Sequence, residues 1–205
     1  EVMVQTTYQP NMVDIVFPIE GTTICRHYSH DLQNALQNEM PWISGDEQFS
    51  IHPIKLVTGD TDITILSRRA QMIVRGPRAR CEEIKQLSGK ALNLSGHVIR
   101  LGKSHEKELN PYSTLYAYHV VTDYANESDF MSKVSEELQA LGISGERVCG
   151  KRHALGMPSQ SLDTFSLMVH GLAPEPSLRL QEFGLGKYKQ LGCGVFVAHK
   201  SAAAV

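Results

Sequence analysis

Apolar and polar positions change period several times along this chain, and each change marks an element. Met12 to Ile19 (MVDIVFPI) alternates enough to be a strand. In HYSHDLQNALQNEM, Tyr28, Leu32, Ala35, Leu36 and Met40 recur at helical spacing. SIHPIKLV reads as a strand, DITILS and AQMIVRGP as two further strand-like pieces, and ARCEEIKQLSG as a helix closed by Gly89. HVIRLGK completes this half as a strand. The order is β-α-β-β-α-β, the split βαβ or ferredoxin-like pattern.

The second half repeats it. STLYAYHVVT (Ser113 to Thr122) is rich in β-branched and aromatic residues, as a strand should be. ESDFMSKVSEELQALG follows as a helix with Phe130, Val134, Leu138 and Leu141 on one face and Gly142 at its end. ERVCGKR and DTFSLMVHGL read as strands, PEPSLRLQEFG as a short helix opened by proline, and GVFVAHK as the last strand. The link KELNPYS (Lys107 to Ser113) is the natural boundary. The expected architecture is therefore α+β, with two tandem ferredoxin-like (RRM-like, βαββαβ) domains, 1–108 and 109–205, and a Gly-rich loop near the C-terminus.

Composition narrows the classes. The chain of 205 residues is 41% hydrophobic and 20% charged, enough apolar material for one large or two small cores. No apolar run approaches a membrane span, and the N-terminus shows no signal-peptide pattern. The chain begins without Met and ends in SAAAV, which reads as a trimmed terminus rather than a functional tail. Cys25, Cys81, Cys149 and Cys193 are far apart without a Cys-x-x-Cys pair, so reduced thiols in a cytoplasmic protein are expected, with no zinc site. A net charge of −2 argues against a protein that coats nucleic acid by bulk attraction. The charge is segregated, however. SRRAQMIVRGPRAR (Ser67 to Arg80) holds five arginines and no acid, and RVCGKRH (Arg147 to His153) is basic again. Such strips serve either as a solvated face or as a local polyanion site.

Two groups of residues carry candidate chemistry. GLGKYKQLGCGVF, between the last predicted helix and strand, pairs Gly184 with Gly186 and Gly192 with Gly194 around Lys187, Tyr188 and Lys189. Glycines allow φ > 0 and close backbone approach to a ligand, or simply a sharp loop. The stretch lacks a Gly-Lys-Ser/Thr ending and follows a helix rather than preceding one, which excludes a P-loop. On the first predicted helix, Leu32, Ala35 and Leu36 define the buried stripe with Tyr28 at its edge. His27 and His30 then fall on the open side, available either to a ligand or to solvent.

The residues SLRLQEFGLGKYKQLGCGVFVAHK, STLYAYHVVT, IHPI…LSRR and HYSHDLQNAL together resemble the RAMP superfamily of CRISPR-associated proteins. More narrowly, they resemble its repeat-RNA processing endoribonucleases, the Cas-six family, in a Myxococcus-like subtype, over nearly the whole chain. The resemblance implies cleavage of precursor CRISPR transcripts inside each repeat, without metal or cofactor. The ribose 2′-OH would attack the adjacent phosphate, leaving a 2′,3′-cyclic phosphate. It also implies retention of the crRNA product and joining of a Cascade-type effector with other RAMP proteins; a non-catalytic crRNA-binding RAMP subunit is the alternative. A first-helix histidine then acts as base or acid: His27 is the first candidate, followed by His30 and Tyr28. Ser67, Arg68 and Arg69 are candidates for the phosphate, since guanidinium groups match it bidentately. Lys151, Arg152, Lys187 and Lys189 would hold the RNA backbone, Tyr188 would stack on a base, and the four loop glycines would let the backbone approach.

Overall fold

The computed structural model describes residues 6–121, 123 and 126–199. The strand ends expected at Thr122 and Lys200 and the SAAAV terminus lie outside the described residues. In the first half the elements are β1 (Met12–Glu20), β2 (Thr23–Cys25), α1 (Ser29–Glu39), β3 (Ser50–Ile51), β4 (Ile63–Ile65), β5 (Gln71–Pro77), α2 (Cys81–Lys85), β6 (Ala91–Leu94), β7 (His97–Leu101) and β8 (His105–Lys107). The second half holds β9 (Leu115–Val121), α3 (Glu127–Ala140), β10 (Glu146–Gly156), β11 (Ser161–His170), α4 (Pro174–Phe183) and β12 (Val197–Ala198).

Each half is built on an antiparallel sheet, and the chain is a mixed α+β protein. The first sheet runs β3-β5-β1-β7-β6, with β8 also paired to β1, and the second runs β10-β11-β9-β12. In both, the first long strand is central (β1, β9). The strand reached after its helix and a hairpin pairs with it (β5, β11), the strand between lies outside that one (β3, β10), and β7 and β12 flank the other side.

Several elements differ from their expected lengths, each for a local reason. SIHPIKLV is a strand only at Ser50–Ile51, because Pro53 has no N–H to continue the ladder. ARCEEIKQLSG opens as a 3-10 turn at Arg78–Arg80 and is α-helical only over Cys81–Lys85. GVFVAHK contributes only Val197–Ala198, since Gly194 to Phe196 belong to the loop folded beneath it. The short strands β2, β6 and β8 carry no sequence expectation; β2 and β4 form a separate two-stranded ribbon.

Two cores follow the predicted stripes. Val13, Ile15, Phe17 and Ile19 alternate inward from β1 onto Leu32 and Leu36 of α1. Leu115, Ala117 and Val120 of β9 meet Phe130, Val134 and Leu138 of α3. Burying each of these side chains larger than alanine stabilises the fold by about 1.5–3 kcal/mol. Asn126 caps α3 by accepting the Asp129 N–H at 2.9 Å, with Glu127 and Asp129 favourably placed in its first turn.

The halves are joined by a polar lock. Arg75, 2% exposed on β5, donates from Nε and Nη2 to both carboxylate oxygens of Asp14 at 2.7 and 3.0 Å. Its Nη1 reaches across to the carbonyls of Gln181 (3.0 Å) on α4 and Phe196 (2.8 Å). His52 Nε2 lies 3.2 Å from the same Asp14 carboxylate. Burial alone would raise the Asp14 carboxyl, but the charge and hydrogen bonds of Arg75 and His52 together outweigh it and hold the group well below the usual range. Burial keeps His52 neutral, so its Nε2–H donates. Near the N-terminus, the Tyr8 hydroxyl donates to Glu182 Oε2, and the Asn11 N–H donates to Oε1 at 2.9 Å. The linker is stitched to α4 through Ser177, which accepts the Tyr112 N–H at 2.9 Å and donates to its carbonyl at 2.6 Å.

Candidate functional site

The three first-helix candidates occupy different environments. His27 is not on α1 but in the turn between β2 and α1, and it is exposed. Its ring lies against Gly156 at the end of β10: a Cβ added there would come within 2.8 Å of His27 Nδ1. Gly156 therefore leaves room for a first-half histidine on a second-half strand. His30 is in the first turn of α1 and half-buried, with Nε2 3.1 Å from the Asn34 amide nitrogen. That contact makes Nε2 an acceptor and puts the ring proton on Nδ1, which is buried without a partner among the described residues. Tyr28 is in the core at 7% exposure rather than at the stripe's edge. Its hydroxyl accepts the Ile54 N–H at 2.6 Å, and burial pushes its pKa up to about 12. It anchors the segment after β3 and is closed to a substrate.

The Gly-rich loop packs against this helix. Gln190 accepts from Gln37 Nε2 at 3.0 Å and donates its own amide to the carbonyls of Ile43 (2.7 Å) and Asp46 (3.2 Å). Gly192 sits against Pro53, where a Cβ would approach Cγ to 3.2 Å. Gly184 and Gly194 bring two stretches of the loop's own backbone together. A Cβ on either would collide with a facing carbonyl oxygen, that of Gly194 or of Leu185. The Leu185 N–H donates to Gly194 O at 3.2 Å, and the Gly194 N–H to His119 O at 2.6 Å. Close approach at these three glycines is thus taken up by the protein itself. Gly186 alone of the four is open, its φ at +70° and its N–H donating to Glu137 Oε2 at 3.0 Å.

The loop's side chains divide in the same way. Lys189 turns inward, donating to the Phe183 carbonyl at the end of α4, and burial lowers its pKa. It caps a helix and is not poised over solvent. Lys187 is exposed, 3.5 Å from Asp123, and Tyr188 is 41% exposed in a left-handed conformation with φ +63°.

Most of the long basic strip is neutralised. Arg75 is the buried lock; Arg78 pairs with Glu108, and Arg80 pairs with Glu83 at 3.0 Å while lying 4.4 Å over the Trp42 ring. Ser67, Arg68 and Arg69 form an exposed turn between β4 and β5, in which Ser67 Oγ accepts the Arg69 N–H at 3.2 Å. On β10, Lys151 is exposed and Arg152 pairs with Asp163 at 3.0 Å. The structure thus sets His27 against the end of β10 and the Gly-rich loop against α1, which also carries His30, both at contacts between the halves, with Ser67–Arg69 on a separate turn. Sequence reasoning missed Arg75, though the alternation of AQMIVRGP places it beside buried Val74, and missed Gln190, which no periodicity signals.

A family model, Cas6 CRISPR, matches residues 13–201. The CRISPR-associated endonuclease Cas6 of Myxococcus xanthus (strain DK1622) is 28% identical over 194 residues, 94% of this chain and 84% of that protein. Among solved structures, a CRISPR-associated protein Cas6 is similar at a TM-score of 0.67 with 12% identity, covering 92% of this chain and 100% of that one. A RAMP protein binding different RNA substrates gives 0.67 with 14% identity, over 90% and 98%. The CRISPR endoribonuclease Cse3 bound to a 19 nt RNA gives 0.52 with 12% identity, over 91% and 97%.

Proposed function

This chain belongs to the Cas6 family of CRISPR-associated proteins, and from that membership we propose that it is an endoribonuclease cutting precursor CRISPR transcripts within their repeats. The family match over residues 13–201 carries the reading. The relatives named as endonuclease, endoribonuclease and RNA-binding RAMP protein support it. The matching strand order of the two sheets supports two ferredoxin-like domains, 1–108 and 109–205.

The chemistry needs no group beyond the chain's own side chains. The 2′-oxygen attacks the neighbouring phosphorus, its proton passes to a base, and the P–O5′ bond breaks as the 5′-oxygen takes a proton. The products are a 2′,3′-cyclic phosphate and a 5′-hydroxyl. Histidine suits proton transfer near neutral pH. His27, exposed at the junction, is the proposed base. His30 can deliver the second proton only after its Nε2 leaves Asn34, so it ranks behind. Lys187 supplies positive charge from the loop, Tyr188 a stacking ring, and Arg68 and Arg69 a guanidinium clamp for the RNA backbone on their own turn. The product crRNA then stays bound for a Cascade-type effector complex.

The test is incubation of the purified protein with cognate repeat RNA in EDTA. Cleavage at one position with a cyclic-phosphate end is expected. Binding without any cleavage would instead identify a crRNA-binding RAMP subunit.

A further inference from the structure

The face of the second sheet turned away from α3 and α4 carries an irregularity whose side chains neither the histidine site nor the Gly-rich loop uses, although the loop's Gly194 N–H donates to its His119 carbonyl. Between β11 and β9 the register passes from Phe165↔Val120 to Leu167↔Ala117, so Tyr118 and His119 both stand opposite Ser166. Between β11 and β10 it passes from Leu167↔Cys149 to Phe165↔Arg152, so Gly150 and Lys151 also stand opposite Ser166. Two β-bulges therefore flank one residue from both sides. The crowding is severe enough that a Cβ on Gly150 would collide with Ser166 Oγ. Bulges re-aim side chains, and paired bulges on neighbouring strands re-aim several at one spot.

What they gather is a set of stacked rings. Tyr118, 48% exposed, stacks on His153 with centroids 4.7 Å apart and planes 26° from parallel. His119 braces the pair edge-on, 4.7 Å from Tyr118 and 5.4 Å from His153. His119 Nδ1 is in turn fixed 2.6 Å from Thr164 Oγ1. Burial pushes His119 down to about 4, and burial with the nearby charge of Lys151 lowers His153. Both rings are neutral aromatic surfaces at neutral pH rather than phosphate-binding cations. The positive charge comes instead from Lys151, exposed on the adjoining bulge.

A rigid, exposed aromatic stack beside one lysine matches a nucleobase and its flanking phosphate. We propose that Tyr118 and His153 form a stacking platform for one unpaired nucleobase of the bound RNA, with Lys151 on the adjacent phosphate; this rests on the RNA-processing reading above. His153 and Gly156 are three residues apart on β10, roughly 10 Å at strand spacing, and on opposite faces. β10 is an edge of its sheet. An RNA strand engaged near His27 reaches the platform by passing over that edge, so the stacked base lies outside the scissile linkage.

Fluorescence anisotropy with fluorescein-labelled single-stranded oligo(A), oligo(U) and oligo(C) decamers tests the platform. Loss of one stacked base weakens binding about tenfold, so Tyr118→Leu and His153→Ala should each weaken binding by about that factor for all three sequences. Tyr118→Phe, which keeps the ring and loses only the hydroxyl, should bind as wild type. Thermal melts of each variant check that the fold is intact. Equal affinity of wild type, Tyr118→Leu and His153→Ala would overturn the platform, while repeat cleavage by the wild type would leave the enzymatic reading standing. Loss of binding in Tyr118→Phe equal to that in Tyr118→Leu would overturn stacking as its basis. A wild type that neither binds nor cuts RNA would remove both.

Discussion

Gly186 and Gly194 have nearly the same backbone conformation, with φ at +70° and +67°, but opposite surroundings. An alanine at either position meets the left-handed penalty of about 1–2 kcal/mol. At Gly186 that is the whole cost, because among the described residues the new methyl finds only ordinary contacts near Val120 and Val121. At Gly194 the methyl collides with the Leu185 carbonyl, forcing apart backbone joined by Leu185 N–H to Gly194 O and disturbing Gly194 N–H to His119 O. Each of those bonds is worth about 1 kcal/mol net. Gly194→Ala should therefore be about 2 kcal/mol less stable than Gly186→Ala. At about 2–4 °C per kcal/mol for a chain of this size, the gap in melting temperature is roughly 4–8 °C. Calorimetry or circular dichroism on both variants measures it directly. Equal melting temperatures would refute the claim that the loop's glycines serve its own packing. So would an intact Gly194→Ala fold that had selectively lost RNA binding.

Other consequences follow from the buried groups. Arg75→Met strands the Asp14 carboxylate and should cost about 3–5 kcal/mol in urea unfolding; adding Asp14→Leu should recover part of that loss. Tyr28→Phe removes the acceptor for the Ile54 N–H and should cost about 1 kcal/mol while repeat cleavage persists. His119 has a folded pKa of about 4, below that of a free histidine, so between those values the unfolded chain binds the extra proton. Its effect is absent above about pH 6.5, and stability falls as pH drops toward 4, by at most about 3 kcal/mol. His119→Gln should flatten that limb of the stability–pH curve.

Much of the fold was legible because its main elements keep a clean period. Met12–Glu20, Glu127–Ala140 and Pro174–Phe183 stand within a residue or two of their expected limits. The short strands β2, β6 and β8 were not, because three to four residues cannot establish a period: Ala91–Leu94 does alternate exposed and buried, but over only two cycles. At the site, the position of His27 was legible only in part. The helical stripe from Leu32 to Leu36 extends backwards through Tyr28 on paper, whereas the chain leaves the helix at Ser29. The roles of Arg75 and Gly192 depend on partners more than a hundred residues away, Gln181 and Phe196 for the one and Pro53 for the other, while those of Gly184 and Gly194 depend on how the loop folds back on itself. Local pattern carries no trace of such contacts, and Arg75 read as one more member of a basic strip. The bulges at Tyr118–His119 and Gly150–Lys151 were hidden for a related reason, since a bulge is a mismatch between two strands and not a property of either alone.

The central claim is that His27 takes the 2′-hydroxyl proton. It is tested most directly by single-turnover cleavage of cognate repeat RNA in EDTA by wild type, His27→Ala and His30→Ala, with RNA binding measured in parallel. The account predicts that His27→Ala binds normally and cuts at least a hundredfold more slowly, the scale expected for a lost general base. His27→Ala cutting at the wild-type rate would contradict it.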